Sequence, residues 1–354
     1  MKRELSTKSN PKARLRSTAE FARHVGLARS TVSRVLNRQP GLRAGTIEKV
    51  ERALRETGFA PNAHARLLRG EHSHTIGVCV KDFLTPPIVR KMALLQQAMR
   101  SRGFSCIIEM LEPGTSESVI QHFLSLRVDG IAFIGYYDQG EPEVGLAGLV
   151  HFGTPHVVMD QFGVPDANTV TLDRSRAMEM AIDHLVGLGH RRFGLIGISQ
   201  RMLGEFDRIT GVRRGLQRHG LDPAVVVTSR DQYHPRIEDY AFGAAVARDF
   251  AALPGRPTAY LALNDDIAIG AMHGFVESGL QVPDSVSVVG FNNQDVCRMP
   301  NPELTSIDQQ IEATVSSAVD ILLSQIGKPR PAAPIIRTIE PVLVVRGSTG
   351  PAAR

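Results

Sequence analysis

From Thr75 onward the chain alternates short runs rich in Val and Ile with longer stretches of helical period: Thr75–Val80, Ser105–Met110, Gly130–Gly135, His156–Asp160, Phe193–Ile198, Val225–Ser229, Ala259–Leu263 and Val286–Gly290. That rhythm marks repeated βαβ units. Their parallel strands need helices on both faces, so eight or more strands in two sets predict an α/β body of two doubly wound lobes. The expected boundaries are an N-lobe over 75–172 and 293–326 and a C-lobe over 173–292 and 333–349. In such lobes ligands bind at the carboxyl ends of the strands. A length of 354 residues leaves room for a separate small domain ahead of the body. With 42% hydrophobic and 22% charged residues the chain is globular, and no apolar run nears the roughly 20 residues that span a bilayer. The basic start, Met1 to Arg16, has no apolar core and does not read as a secretory leader. Cys79, Cys106 and Cys297 have no CxxC spacing and read as reduced core residues, which points to the cytoplasm and, given the charge below, to the nucleoid.

Charge divides the chain at Gly70. Residues 1–70 carry 16 Lys and Arg against 5 Asp and Glu, whereas the rest carries 25 against 31. A basic module fused to a mildly acidic body is the footprint of a domain that meets nucleic-acid phosphates while the body stays clear of them. Residues 1–16 are expected to be a flexible basic arm, and 17–61 a folded all-α head.

Within the head, Ser17-Thr18-Ala19-Glu20 fits a capping box, and Phe21, Ala22 and Val25 form one apolar stripe that Gly26 ends. A second helix is expected over about 29–37, with Val32, Val35 and Leu36 inward and Arg29, Ser30, Ser33, Arg34 and Asn37 outward. A third is expected from Thr46 as its cap to Gly58 as its stop, burying Ile47, Val50, Ala53 and Leu54. Two helices about a Gly-containing turn, the second displaying Arg and Ser, form a helix-turn-helix suited to the major groove.

Thr31-Val32-Ser33-Arg34-Val35-Leu36-Asn37, followed by Gly58-Phe59-Ala60-Pro61-Asn62-Ala63 and Ala65-Arg66, resembles the lactose-repressor family of bacterial transcription regulators. The resemblance places Arg29, Ser30 and Arg34 at base-reading positions and Thr31 and Asn37 near the DNA backbone. Ala28 stands where the family has a Ser cap. The resemblance also makes 62–74 a hinge helix and linker, with Ala65, Leu68 and Arg69 at the minor groove and Leu68 as the wedge between base steps. It implies a homodimer on a palindromic double-stranded operator. After Gly347 the chain has no leucine heptad of the kind that makes relatives tetramers.

The body, 75–349, resembles the periplasmic-binding-protein-like effector domain of the same family through Arg127-Val128-Asp129-Gly130, Leu188-Gly189-His190-Arg191, Arg208 three residues ahead of Gly211, Asn264-Asp265, Ser287-Val288-Val289-Gly290-Phe291 and Leu304-Thr305-Ser306-Ile307. Polar groups directly after strands give Asp82, Asp160, Arg208, Asn264 and Gln309 as candidates for an interlobe cleft. The resemblance implies that Asp160, Arg208, Asn264 and Gln309 line a sugar-type effector site. Asp265 and Asp266 are expected to be helix caps. Asn292-Asn293 stands where many relatives carry an acid, and Thr85-Pro86-Pro87 where the family often shows Asn-Pro-Phe, so the effector is an acidic sugar or another small molecule. Tyr136, Tyr137 and Tyr233 are candidate stacking surfaces.

The chain has no GxSxG elbow, no Walker A loop and no HExxH, so an enzyme is not expected. His184, His190, His219 and His234 lack metal-ligand spacing and read as caps or surface groups; no metal and no cofactor are expected. Two alternatives stay open: a regulator without an effector, and a cytosolic solute-binding protein. The ligand's sign is open as well, since lobe closure can separate the hinge segments of a dimer or bring them together.

Overall fold

The computed structural model describes residues 15, 17–36, 39–59, 72–112, 114–135, 153–161, 166–198, 208–230, 238–329 and 333–353. The chain divides into two compact units, Met1–Ser73 and His74–Arg354.

In the first unit, α1 (Thr18–Val25) begins where the Ser17 hydroxyl accepts the Glu20 amide at 3.1 Å, and ends where Gly26 turns left-handed at φ 69°. Next come α2 (Arg29–Leu36) and α3 (Ala44–Thr57). Phe21, Val25, Val32 and Val50 are buried between them, and the Phe21 ring stacks on Phe59 at 4.6 Å. Thr46 is not the cap of α3. The helix starts two residues earlier, because extended Arg43 offers its carbonyl to both the Thr46 and Ile47 amides, which leaves Thr46 inside the first turn.

The second unit runs β1 (Thr75–Val80), α4 (Pro86–Ser101), β2 (Ser105–Met110), α5 (Ser116–Ser125), β3 (Gly130–Ile134), β4 (His156–Met159), β5 (Thr169–Leu172) and α6 (Arg174–Gly187). It continues with β6 (Phe193–Ile196), α7 (Arg208–Arg218), α8 (Pro223–Val226), β7 (Val227–Arg230), α9 (Asp239–Ala251), β8 (Ala259–Ala262), α10 (Asp265–Glu277) and β9 (Ser287–Asn292). It closes with β10 (Thr305–Asp308), α11 (Ile311–Gln325), β11 (Ile336–Ile339) and β12 (Val342–Val344). Two six-stranded sheets result, in the orders β11-β5-β4-β3-β1-β2 and β12-β10-β9-β8-β6-β7. All pairings are parallel except that of β12 with β10. The first sheet packs two apolar clusters, built around Ile76, Leu95 and Val319 and around Phe123 and Phe133; the second packs two more, around Leu185 and Phe193 and around Phe250 and Tyr260. Strands covered on both faces explain runs such as Gly130–Ile134, every residue of which is buried.

The sheet orders correct the expected lobe boundaries. Thr305–Asp308 pairs with β9 and so belongs to the second sheet rather than to an N-lobe segment 293–326, while Ile336–Ile339 pairs with β5 of the first sheet rather than joining a C-lobe segment 333–349. The chain thus crosses between the sheets three times: after β5, at Gln309–Gln310, and at Glu340–Pro341. Val225 and Val226 lie in the single turn α8, capped by Asp222, and not in a strand. His190 is neither cap nor surface group: it is buried, bonded to Thr258, Ser287 and the Gly350 carbonyl, and ties the C-terminal segment to the second sheet. Among the described residues no helix is long and apolar enough to cross a membrane.

Candidate DNA-reading face and interlobe site

On α2 the inward and outward sets separate as the 3.6-residue period requires. Val32 and Val35 are buried, whereas Arg29, Ser30 and Arg34 are exposed and Thr31 and Ser33 half-buried. The Arg34 guanidinium rests on the Pro40 carbonyl at 3.3 Å, an exposed bond that costs little to exchange for another acceptor. Ala28 accepts the Val32 amide through its carbonyl and has no side chain to cap the helix. Asn37, Ala65, Leu68 and Arg69 lie outside the described residues.

In the body, the ends of strands from both sheets meet in one buried polar network. Asp160 directly follows β4 and holds φ at 72°, a left-handed conformation that Asp tolerates better than most residues and that ends the strand abruptly. Its Oδ2 accepts from Lys91 Nζ at 2.5 Å, and its Oδ1 from the Arg174 guanidinium at 3.4 Å. Lys91 also donates to Gln309 Oε1 at 3.1 Å. Gln309 Nε2 donates to Oδ1 of Asn292, the last residue of β9, whose φ of 116° turns the chain out of the strand. The sequence candidates Asp160, Asn292 and Gln309 are therefore brought together. Burial alone raises an acid's pKa, but Lys91 and Arg174 more than reverse this and hold the Asp160 carboxyl below its ordinary value. Burial lowers the pKa of the Lys91 ammonium against the pull of Asp160.

Arg208 and Asn264 join a neighbouring set. The Arg208 guanidinium lies 3.9 Å over the Phe291 ring, one residue before Asn292, and donates to the Leu263 carbonyl at 2.6 Å. Gly211 lets α7 approach α6: a Cβ there would stand 2.1 Å from the Ser175 carbonyl oxygen, so the starts of the helices bearing Arg174 and Arg208 press together. Asn264 caps α10, its Oδ1 accepting the Ile267 amide at 2.9 Å while its Nδ2 donates to Asp239 at 2.6 Å. The expectation that Asp265 is a cap is corrected here. It is buried and accepts from Ser306 and from the Gln294 amide, because Asn264 already occupies the capping position. Asp82 is not brought to either set; it accepts from Leu84, Thr85 and the Thr85 hydroxyl in its own turn. Tyr136, Tyr137 and Tyr233 lie outside the described residues.

Two residues of the network, Lys91 and Arg174, were missed in the sequence. A signal existed for Lys91: on α4 it continues the buried stripe of Ile88, Leu95 and Met99, where an apolar side chain belongs. Arg174 follows β5, which the strand pattern did not reveal.

A helix-turn-helix unit ahead of a two-sheet body with strand ends converging on a polar network defines a ligand-responsive DNA-binding regulator. Residues 19–62 match the family described as bacterial regulatory proteins, lacI family, and residues 182–349 match the periplasmic binding protein-like domain. The chain is 31% identical over 342 residues to the HTH-type transcriptional regulator MalR of Streptomyces coelicolor, covering 94% of this chain and 96% of that one. It is 26% identical to the lactose operon repressor of Escherichia coli over 86% of this chain and 83% of the other. Among solved structures, the Lac repressor bound to ONPG in the repressed state superposes with a TM-score of 0.76 at 25% identity, covering 93% and 98%, and the CelR–cellobiose complex with 0.66 at 25%, covering 94% and 100%. The chain belongs to the lacI family of bacterial regulatory proteins. It is a DNA-binding transcriptional regulator, not an enzyme.

Proposed function

We propose that the protein acts in the cytoplasm as a homodimeric repressor whose α2 face, Arg29, Ser30, Thr31 and Arg34, reads base edges of a palindromic operator, and whose control lies in a small molecule bound between the two lobes. The observation that carries this is the network itself. Asp160 follows a strand of the first sheet, Asn292 and Gln309 lie at strand ends of the second, and Lys91 links Asp160 to Gln309 in buried bonds while Gln309 reaches Asn292 in a part-buried one, so a ligand that alters this junction can alter the angle between lobes. Arg208 and Asn264 flank the junction and complete the ligand set. The names of the relatives, among them a cellobiose complex and a lactose operon repressor, support a carbohydrate-type ligand. The hinge reading falls on residues 62–69, which lie outside the described residues, and is the step by which the signal would pass to the head.

Selection from a random duplex library with the full-length protein, followed by sequencing, tests the reading. Enrichment of a two-fold site supports it, as does a dimer by light scattering. Enrichment of a single unrepeated half-site, or a stable monomer at micromolar concentration, contradicts it.

A further inference from the structure

Asn293 follows Asn292 but makes a connection of its own. Its side chain bridges two charges: Nδ2 donates to Asp308 Oδ2 at 2.8 Å, and Oδ1 accepts from the Arg346 guanidinium at 2.6 Å. An amide offers a donor to the carboxylate and an acceptor to the cation at once, whereas an acid at 293 would set like charge against Asp308. The other oxygen of Asp308 accepts the Gln310 amide at 2.7 Å. That bond closes the crossover Gln309–Gln310, where Gln310 holds φ at 52°, a left-handed bend that a residue with a side chain rarely keeps without support. The far end of this chain of bonds is fixed in the second sheet. Arg346, its side chain 10% exposed, also donates to the Leu304 carbonyl at 2.6 Å and lies 3.6 Å from the exposed Glu303 carboxylate. The backbone amides of Arg346 and Asn293 donate to the hydroxyls of Thr305 and Ser306 at 2.9 and 3.1 Å. The near end is Gln310, which opens α11, and Ile311 and Val315 of that helix lie in the first sheet's core.

Arg346, Asn293, Asp308 and the Gln310 amide thus form one relay from the second lobe to a helix of the first. Gln309, one residue earlier, carries the contacts to Lys91 and Asn292. The same two-residue crossover is therefore held twice, by the polar network and by a relay outside it. Resting on the reading that the lobe angle governs operator binding, we propose that Asn293 and Asp308 are positioning residues for the response. The relay sets the bend at Gln309–Gln310, and with it the lobe arrangement that the operator selects, without either side chain touching the ligand. A crossover released from the relay populates that arrangement less, and operator affinity falls by the fraction lost.

Three variants of the full-length protein test the proposal. Asn293→Gly removes the bridge and suits the left-handed backbone of that position, φ 51°. Asn293→Asp sets two carboxylates against each other. Asn293→Asp/Asp308→Asn exchanges donor and acceptor: the new amide at 308 donates to the new carboxylate and still accepts the Gln310 amide, while Arg346 keeps an acceptor. Two quantities are read at a temperature far below melting: affinity for the duplex enriched from the random library, by fluorescence anisotropy, and amide exchange of the segment 305–311, by mass spectrometry. In Asn293→Gly and Asn293→Asp the operator affinity falls about fivefold or more and exchange at Gln310 quickens about tenfold. The exchanged double variant returns both to near the parent values, and thermal melting of Asn293→Gly stays close to the parent's. Should Asn293→Asp fail to fold, Asn293→Gly and the double variant carry the test. Unchanged operator affinity in folded Asn293→Gly overturns the proposal, and so does a loss that the exchange leaves unrecovered. If the library yields no two-fold site, the repressor reading fails, and exchange at Gln310 still decides the relay: an unchanged rate in Asn293→Gly overturns it.

Discussion

Lys91 and Asp160 face each other at 2.5 Å, on a helix and a strand end of the same lobe, with side chains only 2% and 7% exposed. Removing Lys91 leaves the buried Asp160 carboxylate with Arg174 at 3.4 Å and without its closer cation; breaking a buried pair in this way costs about 3–5 kcal/mol, whereas removing both members is often nearly neutral. Lys91→Met is therefore expected to lower stability by about that amount in urea denaturation, and Lys91→Met/Asp160→Asn to recover most of it. A single variant as stable as the parent would show that the pair contributes nothing.

Asp265 gives a pH dependence of known sign. Burial pushes its carboxyl up to about 6, against the opposing bonds from the Gln294 amide and the Ser306 hydroxyl. Its folded-state pKa lies above the unfolded one near 4, so the folded form holds the proton more tightly. Its stabilising contribution is full below about pH 4 and is lost as pH rises through about 6, a change on the order of 2–3 kcal/mol. Asp265→Asn should lack this component, so the difference between the stability profiles of variant and parent should grow between pH 4 and 6 in the variant's favour and then level off. A difference flat across that range would contradict the assignment.

Much of this was legible in sequence because it is local. The Ser17 cap, the Gly26 turn and the Val32 and Val35 stripe depend on residues within one or two helical turns, and most strands from Thr75 to Val289 declared themselves by composition, Thr169–Leu172 being the exception. What was lost is set by partners far along the chain. Thr305–Asp308 and Ile336–Ile339 are short strands whose sheet is decided by pairing with Val289–Asn292 and Thr169–Leu172, and no local signal says which. Asp160 and Gln309 were visible as polar residues after strands, and Asn292 as the amide standing where many relatives carry an acid. Lys91 was hidden because a helical lysine ordinarily faces water, and only its place on the Ile88–Leu95 stripe marks it as buried.

Ala28 leaves α2 without a side-chain cap. Ala28→Ser is expected to stabilise the head by about 1 kcal/mol, seen as slower hydrogen exchange of the α2 amides. Unchanged exchange would mean that solvent already satisfies that helix end.

Arg34→Ala should cost about 1–3 kcal/mol of operator affinity and relax preference at one base pair, and Arg29→Ala should act similarly at another. A uniform loss over all sequences, with only a shallower salt slope, would assign the residue to phosphate instead.

Arg208→Lys keeps the charge but loses the planar group lying over Phe291 and its fork of donors. The expected result is ligand affinity reduced about tenfold or more, with the melting profile of the second sheet's lobe little changed. Full retention of affinity would place the ligand elsewhere.

The central claim is that the DNA-reading head and the interlobe site are thermodynamically coupled, and the affinity of a cleft-binding sugar with and without saturating operator duplex tests it most directly. The account predicts a change of about 5–150-fold, matched by an equal factor in operator affinity when the sugar is added. Identical sugar affinity in the presence and absence of operator, with both ligands bound, would contradict it.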